Sequence, residues 1–285
     1  MLTETDDIKW DKIITPKQGK LSLQLGRVWD YRDLIFLFVK RDFITYYKQT
    51  IFGPIWYLVQ PLLSTMMYML IFGSLAQIGT DSIPQILFYF SGTMLWTYFS
   101  GNLRDVSNVF QANKGMFGKV FFPRMVVPIA STLGLLIKLG VQFLLFVLLY
   151  IYYLVKGAAI TVSWSIVLFP LVIIWLSLLS CGLGMIVSSI TTKYRDLALV
   201  LDFLISLLMY ATPVVYPLSE VPANFKVLFC LNPISAPIEL FRYCFFEVCS
   251  IPVWASCYSF VVTVMVFLFG IYMFNKNERT FVDVI

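Results

Sequence analysis

The sequence has 285 residues, of which 59% are hydrophobic and only 13% are charged. Soluble domains contain about 45–50% apolar and about 25% charged residues, and a chain of this length cannot hide such an excess of apolar surface from water. The formal net charge is +5 and there is no histidine, which excludes enzymes that depend on a histidine base, metal ligand or proton relay.

The N-terminal 48 residues are expected to lie outside the hydrocarbon core. Residues 1–28 are predicted to be a cytoplasmic segment without a cleavable signal peptide, because no apolar stretch longer than Leu34–Val39 occurs there or nearby. Residues 29–48 predict an amphipathic helix in the membrane interface, with a plain solvated segment as the alternative. At 100° per residue, the charged side chains that share one arc are Asp30, Asp33, Lys40, Arg41 and Lys48.

Residues 49–285 are expected to form a domain of six transmembrane helices. The first run, from Gln49 to Thr80, has 32 residues without a formal charge, and about 20 apolar residues suffice to cross a hydrocarbon core of roughly 30 Å. Lipid offers no hydrogen-bond partners, so each run must satisfy its own backbone as a helix. The expected spans are Ile55–Ile78, Ile83–Leu103, Val126–Val155, Val162–Thr191, Leu197–Tyr216 and Pro252–Phe274.

Basic residues are concentrated on one side of this arrangement. Of the 21 Lys and Arg residues, nine lie in residues 1–50, four follow the second span, two follow the fourth and two lie in the C-terminal tail. Basic loops resist translocation, so both termini are predicted to be cytoplasmic. The connections on the other side hold only Lys156, Lys226 and Arg242.

The segment between Tyr216 and Pro252 is too polar for a full span but too apolar for an ordinary loop. Four prolines interrupt it, so any helices must be short. Non-helical backbone at membrane depth is tolerated only against protein or a wet cavity. We therefore expect re-entrant helices before the last span, with an external loop as the alternative. The prolines are Pro217, Pro222, Pro233 and Pro237.

Two charges fall within the predicted spans, Lys138 in the third and Asp202 in the fifth. Charges at this depth need a partner or water. Lys138 could hold a passing anionic group, or it could pair with Asp202 or extend toward a polar crevice. One buried carboxylate gives little support to a proton- or sodium-coupled carrier.

Motifs for metal and nucleotide chemistry are missing from the sequence. Cys181 lies in a span and is expected to be a packing residue, whereas Cys230, Cys244 and Cys249 fall on the outer side, where a disulfide is permitted. Without histidine pairs or a CxxC motif, no metal site is expected. No GxxxxGK[ST] loop occurs, so the chain is expected to hold no nucleotide or other cofactor itself.

Five local patterns occur in the order found in one transporter family. They are Tyr46-Tyr47-Lys48-Gln49-Thr50 with Gly53, Trp56 and Pro61; Lys119-Val-Phe-Phe-Pro123-Arg124 with Pro128; Tyr194-Arg195-Asp196; Thr212-Pro213-Val-Val-Tyr216; and Asn232-Pro233 leading to Glu239 and Arg242. Over residues 25–285 the chain resembles the membrane subunit of polysaccharide ABC exporters, the type 2 permeases that export O-antigen, capsule or teichoic acid.

The resemblance implies a permease homodimer in the inner membrane of a bacterium. Two copies of a separate nucleotide-binding subunit would carry ATP and Mg²⁺, and the cargo would be a lipid-linked polysaccharide. Residues 49–285 would then be the permease domain, and residues 232–242 would belong to re-entrant helices at the outer mouth, marked by Asn232, Pro233, Glu239 and Arg242. Charged and rigid positions in the cytoplasmic connections would contact the ATPase, namely Lys119, Phe122, Pro123, Arg124, Lys193, Tyr194, Arg195 and Asp196.

Aromatic residues make up 17% of the chain, more than an interfacial belt requires. Sugar rings present apolar C–H faces that pack on aromatic rings, and Tyr and Trp add a polar group for hydroxyls. We therefore predict a translocation path lined by aromatic side chains, each of which could instead be a packing or lipid-facing residue. The predicted lining is Trp56, Tyr57, Tyr68, Tyr89, Trp96, Tyr98, Phe99, Tyr210 and Tyr216.

Other functions remain open from the sequence. An ABC exporter of drugs or simple lipids would use an apolar lateral pocket rather than an aromatic path. A polytopic enzyme acting on polyprenyl-linked sugars would need an acidic metal motif, for which Asp6-Asp7 is a poor candidate. A secondary carrier would need more buried carboxylates.

Overall fold

The structure is a computed structural model that describes residues 25–48, 53–117, 120, 122–158, 160, 162–191, 194 and 196–284. Within these residues the chain is all-helical and contains no strand, which confirms the all-α part of the predicted fold class. Single 3₁₀ turns at Gly53–Ile55, Trp164–Leu168 and Leu218–Glu220 join some of the helices. The α-helices are α1 Leu25–Asp30, α2 Arg32–Tyr47, α3 Trp56–Tyr68, α4 Gln85–Ser107, α5 Val109–Ala112, α6 Lys114–Phe117, α7 Val126–Val155, α8 Phe169–Thr191, α9 Leu197–Tyr210, α10 Ala223–Leu231, α11 Ser235–Phe246 and α12 Val253–Val284.

Four helical segments in the described part are long and apolar enough to cross a membrane. They correspond to the first, third, fourth and sixth predicted spans and make the chain a multi-pass membrane protein. The first continues from α3 into a π-helical turn, Met69–Leu75. The four segments are Trp56–Leu75, Val126–Val155, Trp164–Thr191 and Val253–Lys276.

The second and fifth predicted spans form helices that differ from the other four. The second, α4, has 23 residues and carries polar side chains such as Asn102 and Arg104. The fifth, α9, has 14 residues and ends at Tyr210, six residues earlier than expected. Pro213 explains this early end, because the residue before a proline is disfavoured in the α conformation.

Helix α4 lies at the centre of the bundle and packs against α3, α7, α8 and α9. Phe88, Tyr89, Phe90 and Phe99 are fully buried along it. Neighbouring helices satisfy Asn102, which is buried: its side chain donates to Ser180 Oγ at 2.7 Å and accepts from Thr132 Oγ1 at 3.0 Å. This polar residue is therefore explained by burial in protein.

Helices α8 and α12 pack most closely, because glycines face each other at their contact. A Cβ atom on Gly182 would lie 2.8 Å from Phe267 Cα, and one on Gly270 would lie 2.5 Å from the Gly182 carbonyl oxygen. Small residues allow such close approach of helix backbones in membrane proteins. The Trp175 indole adds a hydrogen bond to Thr263 Oγ1 at 2.8 Å.

The N-terminal helix α2 packs across α7 through Phe38 and Val39, which are buried. On its other side Phe36, Leu37 and Ile44 are exposed apolar residues. The helix forms where the sequence predicts it. Its location in the membrane interface stays a prediction.

Candidate functional site

Helices α3 and α9 have the least buried surfaces among the central helices. On α9 only Ile205 is buried, and on α3 the buried residues are Tyr57, Pro61 and Thr65. The two helices flank α4 and meet where the Tyr68 hydroxyl donates to Met209 Sδ at 3.6 Å. Their outward faces are therefore free to contact lipid, a second protein chain or a cargo molecule.

Each of these helices carries a row of polar residues at a spacing of four. Gln60, Ser64 and Tyr68 follow one another along α3, and Asp202, Ser206 and Tyr210 follow one another along α9. Residues four apart share a helix face. Polar and charged groups at membrane depth face protein or water rather than lipid. The rows therefore mark the side of the protomer that is wet or covered by protein.

An ion pair joins α9 to the end of α4. Arg104 Nε lies 2.6 Å from Asp202 Oδ1, and the two side chains are 46% and 64% exposed. The expected alternative of a Lys138–Asp202 pair is therefore wrong. Lys138 lies on α7, on another side of the bundle, where its ammonium group lies 5.2 Å from the centre of the Tyr57 ring and interacts with the Asp105 carboxylate.

The nine aromatic residues predicted to line a path fall into two groups. Trp56 and Tyr210 are exposed, and Tyr68 and Tyr216 are half-buried. The remaining five are buried inside the protomer, where other side chains cover them; for example, the Tyr98 hydroxyl lies 2.6 Å from Ser177 Oγ. Their contact with a cargo stays a prediction. The buried residues are Tyr57, Tyr89, Trp96, Tyr98 and Phe99.

An open groove of about 610 Å³ lies next to the end of α9. The Tyr216 hydroxyl donates to the Tyr210 carbonyl oxygen, and its ring meets Phe229 edge to face at 5.8 Å. Phe225 and the carboxylate of Glu220 complete an aromatic and acidic wall. The groove thus extends the aromatic surface of Tyr68 and Tyr210 toward α10.

The predicted outer residues hold α10 and α11 to the rest of the bundle. The Asn232 amide donates to the Ala211 carbonyl oxygen and Thr212 Oγ1, each at 2.9 Å. The carbonyl oxygen of Pro233 accepts from Ser259 Oγ at 2.6 Å. These bonds tie the connection between the two short helices to the end of α9 and to α12.

Glu239 and Arg242 form a salt bridge of 2.8 Å inside α11, and each residue is 2% exposed. Arg242 also donates to the Val214 carbonyl oxygen at 3.1 Å, and its guanidinium group lies 3.8 Å from the centre of the Phe88 ring. Breaking a buried pair of this kind by removing one partner typically costs about 3–5 kcal/mol. The pair thus fixes α11 against α4 and the turn after α9.

The predicted ATPase-coupling residues are only partly described. Phe122 is buried between Phe38 and Phe117, and Arg124 is 8% exposed with its guanidinium group 5.3 Å from the centre of the Phe117 ring. Tyr194 is exposed. Pro123 precedes α7, and Asp196 precedes α9. Lys119, Lys193 and Arg195 lie outside the described residues. A coupling role stays a prediction for the whole set.

All five cysteines are free thiols. Burial raises the pKa of the Cys230 thiol above its ordinary value, so this thiol is protonated at neutral pH and reacts slowly. Among the described residues no group of His, Cys, Asp and Glu could hold a metal ion.

Comparison with known proteins decides the family. The model of the family described as "ABC-2 type transporter" matches residues 33–246. The chain belongs to the ABC-2 type transporter family. The match includes α2, the polar rows of α3 and α9, and α11 with its buried ion pair.

Among its relatives, this ABC-2 chain is 27% identical over 273 residues to an O-antigen export system permease protein RfbA of Klebsiella pneumoniae, with 93% of this chain and 99% of the relative covered. A protein of the same name in Myxococcus xanthus is 27% identical and covers 77% of this chain and 83% of its own length. The polysialic acid transport protein KpsM of Escherichia coli is 22% identical over 71% of this chain and 77% of its own length.

Sequence reasoning missed the Arg104–Asp202 pair and the contact between Tyr68 and Met209. Asp202 is the one carboxylate within the predicted fifth span, so its need for a cation was foreseeable. Arg104 was assigned only to a basic loop. Arg104 lies at the end of the second predicted span, at about the same depth as Asp202, and this position makes it a candidate partner beside Lys138.

Proposed function

We propose that the chain is the permease subunit of an ATP-driven exporter that carries a lipid-linked polysaccharide across the inner membrane of a bacterium. The observation that carries this proposal is the likeness to O-antigen export permeases over nearly the full length of both chains. The likeness to a polysialic acid transport protein supports polysaccharide as the general cargo class. The permease itself performs no covalent chemistry.

The assembly we infer contains two permease copies and two copies of a separate ATPase subunit that binds ATP and Mg²⁺. The exposed faces of α3 and α9 support a two-fold arrangement, since a second copy would cover apolar residues such as Leu63 and Phe203. The polar rows of α3 and α9 would then line the path between the copies. Exposed aromatic rings at Trp56 and Tyr210 would offer weak, repeated contacts to sugar rings.

The topology we infer has six spans and both termini in the cytoplasm. Helix α4 is the second span, because its neighbours bury Ser91, Thr93, Ser100 and Asn102 and lipid need not solvate them. Helix α9 and residues 211–216 form the fifth. Helices α10 and α11 enter the membrane from the outer side without crossing it, which the burial of Glu239 and Arg242 against α4 supports.

The cytoplasmic connections 104–125 and 192–196 would receive the movement of the ATPase. Phe122 and Arg124 pack into the bundle and Tyr194 is exposed, so a push on either connection would reach α7 or α9. Transport is then a shift between two states of the bundle, driven by nucleotide binding in the partner subunit.

Deletion of the gene and complementation test this function. In a strain that carries the chain naturally, deletion should abolish surface polysaccharide, while polymer accumulates on its lipid carrier inside the cell. Immunoblots of surface polymer and of inner-membrane lipid extracts measure both quantities. Normal surface polysaccharide in the deletion strain would contradict the proposed cargo, and loss of synthesis rather than export would leave no intracellular polymer.

A further inference from the structure

The Arg104–Asp202 ion pair lies near the predicted cytoplasmic ends of the second and fifth spans. Arg104 directly follows Leu103, the last residue of the predicted second span. Asp202 lies about 8 Å along α9 from its first residue at the helical rise. Charges this exposed are stable beside headgroups or water and not within hydrocarbon. Arg104 therefore faces the layer in which the phosphate of a membrane lipid would approach.

The guanidinium group of Arg104 is only partly used by this contact. Nε donates to Asp202 Oδ1, and among the described residues no other side-chain bond of Arg104 is found. A guanidinium group carries five N–H donors in a planar fork that suits the oxygens of a phosphate. The Nη groups are therefore available to donate to an approaching anion, which then competes with the Asp202 carboxylate for the same guanidinium group.

The neighbouring cation, Lys138, does not face this anion site. Lys138 is turned inward over the Tyr57 ring, and its nearest carboxylate is that of Asp105. Asp105, the residue after Arg104 on α4, is exposed and also interacts with Arg104. Arg104 is thus an outward-facing cation of this cluster, at 46% exposure, and the exposed carboxylates beside it are those of Asp202 and Asp105.

We propose that Arg104 binds the phosphate that joins the substrate to its lipid carrier, and that Asp202 holds the guanidinium group until the phosphate replaces it. The inference rests on the proposed function, because it assigns the anionic part of the same lipid-linked cargo. The linking phosphate carries one negative charge, as the carboxylate does, but its oxygens can accept from both Nη groups of the planar guanidinium fork at once. The polar row of α9 begins at Asp202 itself.

Substrate binding would also loosen α9. Ile205 is the buried residue of this helix, and the bond from Arg104 attaches α9 to the end of α4. When the phosphate takes the guanidinium group, Asp202 is released and α9 loses that attachment. Loading of the cargo would in this way favour movement of the helix that borders the path.

Lipid binding to the purified full-length chain tests the site. The chain is placed in nanodiscs of phosphatidylcholine, and binding of polyprenyl phosphate is measured by native mass spectrometry. Arg104→Gln should weaken binding about tenfold, in line with the loss of a charge-assisted hydrogen bond. Asp202→Asn should tighten it about threefold or more, because it removes the competing carboxylate. Lys156→Gln, an exposed change away from the path, serves as the matched control and should change nothing.

Opposite results identify other roles. If Asp202→Asn weakens binding as much as Arg104→Gln does, the ion pair only holds the fold together and the proposal fails. Equal binding of phosphatidylglycerol, with the same dependence on Arg104, would show a site for bulk lipids and would also overturn it. Polyprenyl phosphate with a photoreactive group near its phosphate gives a check on the wild-type chain, and it should label residues 101–107 and 197–206. Labelling confined to other helices would contradict the site.

The binding result and the export result fail independently. If lipid binding to the purified chain does not depend on Arg104, but deletion of the gene still abolishes surface polysaccharide, the site is rejected and the exporter stands. Normal surface polysaccharide after deletion, with Arg104-dependent binding intact, would reject the proposed cargo and keep a lipid-phosphate site.

Discussion

Aromatic residues in this bundle differ in what their rings can reach. Tyr210 is 61% exposed on α9, whereas Trp96 is 7% exposed in the core of the protomer. A ring that packs against protein on all sides cannot also stack on a sugar. Any contribution of stacking to transport therefore concentrates at Trp56, Tyr68, Tyr210 and Tyr216, and the buried rings contribute through stability.

Substitution of Tyr210 separates these effects. Tyr210→Leu keeps much of the apolar area but removes the ring face, so export of long polysaccharide should slow about two- to tenfold, as expected from loss of a contact of about 0.5–1.5 kcal/mol. Tyr210→Phe should export at close to the normal rate. The measurement is surface polysaccharide per unit of permease in the membrane.

Trp96→Leu provides the contrast at a buried position. It should lower the amount of folded permease, with normal export per remaining molecule. If Tyr210→Leu exports as well as Tyr210→Phe, the ring face at this position does not matter and the aromatic path loses its main exposed member.

The partners of individual charges could be predicted only in part from the sequence. The sequence indicates that Lys138 and Asp202 each need an opposite charge or water nearby, because isolated charges in a span are costly. It could not show that α9 packs on α4 rather than on α7, and that packing decides that Asp202 meets Arg104. Likewise, Glu239 and Arg242 were identified by a family pattern, but their bond depends on the three-residue spacing within a helix whose limits the sequence left open.

At the scale of helices, a close backbone contact makes α8 and α12 sensitive to side-chain size. Gly182→Val should place Cβ atoms against the backbone of α12, where 2.8 Å separates a Cβ from Phe267 Cα. Backbone cannot move aside as a side-chain end can, so we expect a lower melting temperature in detergent and less permease in the membrane.

Gly134→Val on α7 is the matched control, because a Cβ there meets no atom within 4 Å. It should be tolerated apart from a small propensity effect. Equal loss at both positions would show that glycine content rather than the α8–α12 contact controls folding.

Helix positions were predicted well where long apolar runs dictate them, and less well where tertiary contacts decide. The third span matches α7 at both ends, Val126–Val155. The fifth is shorter because the Thr212–Pro213 turn, held by Asn232, ends the helix. The π turn at Met69–Leu75 has no clear sequence signal, since its residues are as apolar as those of the α-helix before it.

At the scale of the whole molecule, the distribution of basic residues predicts which ends of the helices face the cytoplasm. Single cysteines at Ser82 and Asn224 should react with a membrane-impermeant maleimide in intact spheroplasts, and one at Lys114 should not. The chain's own exposed cysteines, Cys249 and Cys257, are first replaced by serine to provide a silent background. Labelling at Lys114 alone would show that the topology is the reverse of the predicted one. Labelling at all three positions would indicate that the reagent had entered the cells.

The helices of the protomer differ in how firmly they are attached to one another. Helices α4, α8 and α12 form a stiff frame, whereas α9 is loosely attached to it. The glycine contact and the Trp175–Thr263 hydrogen bond join α8 to α12. The Asn102 hydrogen bond to Ser180 joins α4 to α8. Helix α9 is attached less firmly: Ile205 is its buried residue, Leu201 and Leu208 are partly buried against the core, and one exposed ion pair and one thioether contact add to them. Force applied at its cytoplasmic end therefore meets little elastic resistance before it reaches Tyr210. In the proposed exporter, the ATPase would mainly displace α9 and would hardly strain the frame of α4, α8 and α12.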